Sequence, residues 1–247
     1  MARPGKMVRK AFDRALRGFS RLPPASAPLA EKRRSGIFAC FEEGVYAQVW
    51  ITLTSGKFLT DLALLFTAGA FHLGLINAIP FLAAPAQLLG AALVSRAPTR
   101  RAVLLPAIYL CRQIWWLALA LVLLPLEAST KLWCFIGLYA VSNVAGQVAG
   151  NAWLGWLSEM IPDRLRGRVI ASRNGILILV AITSDFLLSQ AREYFSPEHR
   201  TFYMVLLLGI ASFAAMKTIY VFRNQWEPPK PPEPPAPGPC MYRNPVP

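Results

Sequence analysis

Asn143, Gln147 and Asn151 recur every fourth residue in the middle of an apolar stretch. On a helix that spacing gives one slowly drifting stripe, with Gly146 and Gly150 close to the same face. Such a stripe either joins two helices through amide hydrogen bonds or walls a cavity that offers donors and acceptors to a polar solute. Charges interrupt other apolar stretches. Lys57 and Asp61 are four residues apart, share a helical face and can neutralise each other. Arg112 and Gln113 lie about ten residues into their stretch, and Asp185 lies past the middle of its own. An ion near a bilayer centre costs on the order of 2.5–3.5 kcal/mol on insertion scales, so each needs a partner or water. Arg112 keeps its proton and calls for an anion; Asp61 and Asp185 are the acids at comparable depth. Lys57, Asp61, Asn143, Gln147, Asn151 and Asp185 are the candidates for a substrate or ion path, with either aspartate able to carry a proton. Arg112 and Gln113 are candidates for structural charge support.

The elements that would position these groups are six apolar stretches, at 44–69, 73–95, 102–124, 132–157, 174–191 and 201–222. Each is close to the roughly 20 residues a helix needs to cross about 30 Å of hydrocarbon. None shows the period-2 alternation of a spanning strand. The expected fold is therefore an all-α membrane protein with six transmembrane helices. Pro80 and Pro85 should bend the second. Trp50, Trp133 and Trp226 fit interfacial belts, and Lys217 fits a snorkelling anchor.

Basic residues avoid every second connection. Of the 26 Lys and Arg, Lys57, Arg112 and Lys217 lie within stretches, and Lys131, Arg192 and Arg200 fall in the connections after the first, third and fifth. All others occupy the N-terminal arm, the alternate connections and the tail, which places both termini in the cytoplasm. An even number of crossings requires the same. The formal charge of +13 is thus largely a topology signal, and nucleic acid is not an expected partner. With 55% apolar and 16% charged residues, the composition excludes an ordinary soluble domain of this size. Cys40, Cys111, Cys134 and Cys240 have no ligand spacing, and two histidines, His72 and His199, make no metal site alone. No metal or cofactor is expected. No nucleophile, base and orienter converge at a plausible spacing, so an enzyme is not expected either.

Three regions follow. Residues 1–35 form a basic cytoplasmic arm, in which Val8, Phe12, Ala15, Leu16 and Phe19 alternate with Arg9, Lys10, Arg14 and Arg17; it is either an amphipathic helix lying on an anionic leaflet or a disordered basic arm that only orients the first span. Residues 36–226 form the membrane domain. Residues 227–247 form a tail with ten prolines from Pro228 onward, stiff, extended and coreless.

The fourth connection reads Glu159-Met-Ile-Pro162-Asp-Arg-Leu-Arg166-Gly167-Arg168, then Arg173-Asn174-Gly175. It resembles the E-x-x-P-x-x-x-R-G signature between helices four and five of major facilitator superfamily (MFS) transporters. Leu53-Thr54-Ser55-Gly56 and the run from Leu73 to Phe81 resemble that superfamily more weakly. In physical terms Pro162 stops a helix, Gly167 allows a tight turn, and Arg166 can bridge to Glu159 or to helix C-terminal carbonyls. Glu159, Pro162, Arg166, Gly167 and Arg168 are the candidate gating residues. The second connection departs from the superfamily's pattern: Gly90 is present, but the aspartate and second glycine are missing, and the basic pair Arg100-Arg101 comes late.

The resemblance implies the N-terminal half of an MFS transporter, as two inverted three-helix repeats, with helices 1, 2, 4 and 5 lining a cavity and 3 and 6 behind. The expected function is transport of a small solute by alternating access, with a proton as candidate coupling ion. It needs a second six-helix half, from a homodimer partner or a separate chain, or lost by truncation. The expected location is the cell membrane, by resemblance a bacterial inner membrane. The alternative is a non-transporting membrane scaffold or assembly protein built on the same half.

Overall fold

The computed structural model describes residues 28–195 and 199–229. The amphipathic arm and most of the Pro-rich tail lie outside them. All regular structure among the described residues is helical, in nine helices. They are α1 (Leu29–Leu53), α2 (Gly56–Leu65), α3 (Ala70–Ala83), α4 (Ala86–Arg96), α5 (Arg100–Gln113), α6 (Trp115–Leu123), α7 (Ala128–Met160), α8 (Asp163–Glu193) and α9 (Arg200–Asn224). Residues 29–35 thus already belong to the first helix.

Among the described residues, five stretches are long and apolar enough to cross a membrane: Ala70–Arg96, Arg100–Leu123, Ala128–Met160, Asp163–Glu193 and Arg200–Asn224. The chain is a multi-pass membrane protein. Of the six expected crossings, the first is altered. Residues 29–65 are split at Thr54–Ser55 into α1, which carries Glu42 and Glu43, and the short α2. The break has a local cause. The Thr54 and Ser55 hydroxyls donate to the carbonyls of Trp50 (2.8 Å) and Ile51 (2.6 Å), competing with the helix ladder. Gly56 then takes φ +55, which a side chain would disfavour. The expected bend in the second stretch is present as a pause at Ala84–Pro85 between α3 and α4.

Helix α8 shows how lipid inverts the usual pattern. Its one fully buried residue is Arg173, while Ile178, Leu179, Ile182, Phe186 and Leu187 are exposed. Apolar side chains facing hydrocarbon cost nothing, so the inside can be reserved for polar groups and small residues. The main packing partners are α5 with α7, α1 with α9, α4 and α3 with α7, α1 with α8, and α9 with α5 and α6. One core cluster joins α2, α3, α6 and α7 through Leu62, Phe66, Ile76, Trp115 and Phe135. Another joins α5, α7 and α9 through Leu104, Ile108, Trp156 and Phe222.

Candidate functional site

A cavity of about 240 Å³ lies where the first segment is interrupted. Trp50, Thr54 and Ser55 form one side, Cys111 and Trp115 of α5 and α6 the second, and Tyr139, Asn143 and Gln147 of α7 the third. The aromatic walls meet edge to face: Trp50 and Trp115 centroids are 6.2 Å apart at 87°, and Trp115 and Tyr139 6.3 Å at 81°. Trp115 Nε1 donates to Ser142 Oγ (3.3 Å), which donates to the Cys111 carbonyl (2.7 Å), fixing that wall. Trp50 was expected in an interfacial belt. It is half-buried and lines the cavity, with α1 continuing well beyond the apolar stretch on its N-terminal side.

The amide stripe divides its work. Asn143 Nδ2 donates to the Tyr139 carbonyl (2.8 Å) and lines the cavity. Gln147 also lines it and accepts from Gln87 Nε2 at 2.6 Å. Asn151 lies one turn further on and donates to the Gln87 carbonyl (3.2 Å). The stripe therefore both joins α4 to α7 and faces the cavity. The close approach it needs comes from Gly90, where a Cβ would meet Val148 O at 3.0 Å, and not from Gly150, which has nothing within 4 Å.

The charged candidates pair differently from their sequence spacing. Lys57 and Asp61 do not neutralise each other. Lys57 Nζ reaches Asp185 at 3.1 Å and the Ser189 hydroxyl, linking α2 to α8. Asp61 is held by Arg192 at 2.9 Å and Arg200 at 3.6 Å, linking α2 to α8 and α9. The break at Thr54–Ser55 re-aims α2, so inter-helix partners replace the i,i+4 partner. Arg112 meets neither aspartate. Its guanidinium lies 3.7 Å from Glu43 and over the Trp50 ring at 5.1 Å. Arg173 approaches the same carboxylate at 3.2 Å, lies over the Trp153 ring at 4.8 Å, and donates to the Cys40 carbonyl (3.3 Å). Gln113 accepts from Trp116 Nε1 at 2.9 Å, supporting the same stretch. The triad of Glu43, Arg112 and Arg173 is fully interior and ties α1, α5 and α8 together. Sequence reasoning missed two of its three members by one residue each. The first stretch was begun at Gly44 and the fifth at Asn174, which left Glu43 and Arg173 outside. The available signal was the helical reach of the flanking polar residues, since both helices run more than ten residues beyond those apolar limits.

At the end of the bundle where α1 begins and α9 finishes, Arg100 pairs with Glu159 of α7. Arg166 Nη2 donates to the Ser158 carbonyl at 2.7 Å and pairs with Asp163 at 2.6 Å, so it caps α7 and does not bridge to Glu159. The turn occupies only Ile161–Pro162. Gly167 is helical within α8, not the turn residue expected, because Pro162 alone is enough to redirect the chain. Arg168 is exposed. The segment after α9 closes this end. Glu227 accepts from the backbone N–H groups of Arg100 (2.7 Å) and Arg101 (3.2 Å), capping α5. Gln225 Nε2 donates to the Gly36 carbonyl (3.0 Å), and Trp156 Nε1 donates to the Trp226 carbonyl (3.1 Å).

In comparison with known proteins, no family model, curated protein or solved structure matches this chain.

Proposed function

We propose that the chain is one six-helix half of an MFS-type secondary transporter that moves a small solute by alternating access. The carrying observation is the cavity against an interrupted helix, lined by aromatic rings, amides and hydroxyls inside an otherwise apolar bundle. Asn143 lies 15 residues from the start of the 33-residue α7, about 22 Å along its axis at 1.5 Å per residue. Broken helices and uncharged hydrogen-bonding groups at that depth are what a solute site between two rocking halves requires. In this reading the segment at 29–65 supplies the sixth crossing.

Packing supports the half-transporter reading. Number the six helical segments in chain order: the main pairs are 1–6, 3–4, 1–5, 2–4 and 3–6. Exchanging the first three with the last three turns 1–6 into 4–3 and 1–5 into 4–2, and leaves 3–6 unchanged. Two inverted three-helix repeats produce that reciprocity. The link between Arg100 and Glu159, with Arg166 on the end of α7, gives the cytoplasmic side contacts that can form and break as repeats rock. Segment 3 takes a fuller part than its expected place behind the cavity, since Cys111 and Trp115 line it.

A second half is needed because the polar face continues outward. Lys57 and Asp185 pair with side chains 44% and 50% exposed, and Gln87 and Asn77 are exposed on the second segment. Asp185 is eight residues, about 12 Å along the axis, from the end of α8, and lipid against that face would leave it unsolvated. A second copy of this chain covers that face and completes the pathway. Asp185, with Lys57 as partner, is the better-placed proton carrier; Asp61 is held by two arginines nearer the bundle's outer end.

Side-selective labelling tests the reading. In a cysteine-free background reconstituted in one orientation, Asn143→Cys should react with a membrane-impermeant thiol reagent added from either side. Reaction from one side only, in every condition, would overturn alternating access.

A further inference from the structure

We propose that the cavity selects an uncharged solute that bears hydrogen-bonding groups and an apolar face, and rejects ions of the same size. The inference rests on the transport reading above and adds the class of cargo.

The lining carries three aromatic side chains, two amides and four hydroxyls (that of Tyr139 included), and no ionisable acid or base that bears charge at neutral pH. This is a notable restriction in a bundle with charges close by. None of the nearby ions lines it: Arg112 and Arg173 share Glu43, with Arg112 Nε and Nη1 left without hydrogen-bond partners behind the lining, and Lys57 turns to Asp185. The donors and acceptors left for a ligand are neutral. Gln147 spends its carbonyl on Gln87, and its amide N–H groups have no partner among the described residues. Thr54 and Ser55 spend their hydroxyl protons on α1 carbonyls and keep lone pairs that can accept. Trp50, Trp115 and Tyr139 supply flat apolar walls on which a ring or carbon skeleton packs.

Size agrees. A volume of about 240 Å³ is the share of about eight waters at about 30 Å³ each, so the site suits a solute of about eight to a dozen heavy atoms. An ion entering it would exchange its hydration for neutral dipoles and meet no counter-charge in the lining, a loss on the order of a hundredfold in occupancy. A neutral solute with hydroxyl or amide groups exchanges water contacts for those of Gln147, Asn143, Thr54 and Ser55.

The test needs no knowledge of the natural cargo. Asn143→Cys and, separately, Ser55→Cys are placed in full-length protein with its four native cysteines replaced, reconstituted in lipid nanodiscs. Each is reacted with three methanethiosulfonates of similar length: hydroxyethyl (neutral), trimethylammonioethyl (cationic) and sulfonatoethyl (anionic). Rates are divided by those at an exposed control, Arg168→Cys, which removes intrinsic reactivity. The expected result is a normalised neutral rate at least about tenfold above both charged reagents at both positions. Equal or faster reaction of either charged reagent would overturn the proposal while leaving two-sided access, and thus transport, intact. Absence of reaction with all three would overturn both. Ser55→Cys is nearly isosteric at a helix break, so it reports even where Asn143→Cys fails to assemble.

Discussion

Replacing Glu43 by Gln isolates the electrostatic heart of the bundle. The carboxylate is 3% exposed, and it is the acid that both Arg112 (3.7 Å) and Arg173 (3.2 Å) face. Glutamine keeps the shape and one acceptor but removes the charge, leaving two interior guanidiniums without a counter-ion. Breaking a buried pair from one side costs about 3–5 kcal/mol. The Trp50 and Trp153 rings do not offset this, since both cation–π contacts are already present in the parent and cancel from the difference. The net expectation is a loss of about 3 kcal/mol. For a chain of this length about 1 kcal/mol corresponds to roughly 2–4 °C, so Tm should fall by roughly 6–12 °C. The assay is thermal unfolding in mild detergent, followed by size-exclusion recovery. The triple replacement Glu43→Leu, Arg112→Met, Arg173→Met removes all three charges at similar volume and should recover most of the loss. A Glu43→Gln shift below about 2 °C, or a triple variant no more stable than the single one, would refute the reasoning.

Gly90→Ala should destabilise by about 1–3 kcal/mol, because its Cβ would press on the α7 backbone, whereas Gly150→Ala should be neutral or gain up to about 1 kcal/mol; paired unfolding curves check the contrast. Glu227→Ala removes the cap on α5 and should cost about 1 kcal/mol, with Arg100 and Arg101 amides exchanging faster in hydrogen-exchange mass spectrometry. Asp61→Asn should cost no more than about 1 kcal/mol, and the difference from the parent should shrink as salt is raised, because Arg192 and Arg200 are 49% and 41% exposed; stability measured at low and high salt checks it.

The coarse architecture was readable because lipid imposes a length rule, and apolar runs near twenty residues obey it. Its detail was not, for two physical reasons. Hydropathy marks where a helix meets hydrocarbon and not where the helix ends, so α1 and α8 reach well past their apolar limits and carry Glu43 and Arg173 inside. Spacing along one helix also gives neighbours on that helix alone. The partners of Lys57, Asp61 and Arg112 come from other segments, and only tertiary packing brings Asp185, Arg192 and Glu43 to them. The amide stripe was legible because its members act on one face, toward α4 and the cavity together.

The central claim is that two six-helix copies rock about the cavity. Pulsed electron–electron resonance between symmetry-related spin labels measures this directly, at Arg168→Cys at one end of the bundle and at Glu193→Cys at the other. The account predicts two distance populations at each position, the Arg168 pair lengthening in the conformer whose Glu193 pair shortens. A single distance at both positions, or no dipolar coupling between copies, would contradict it.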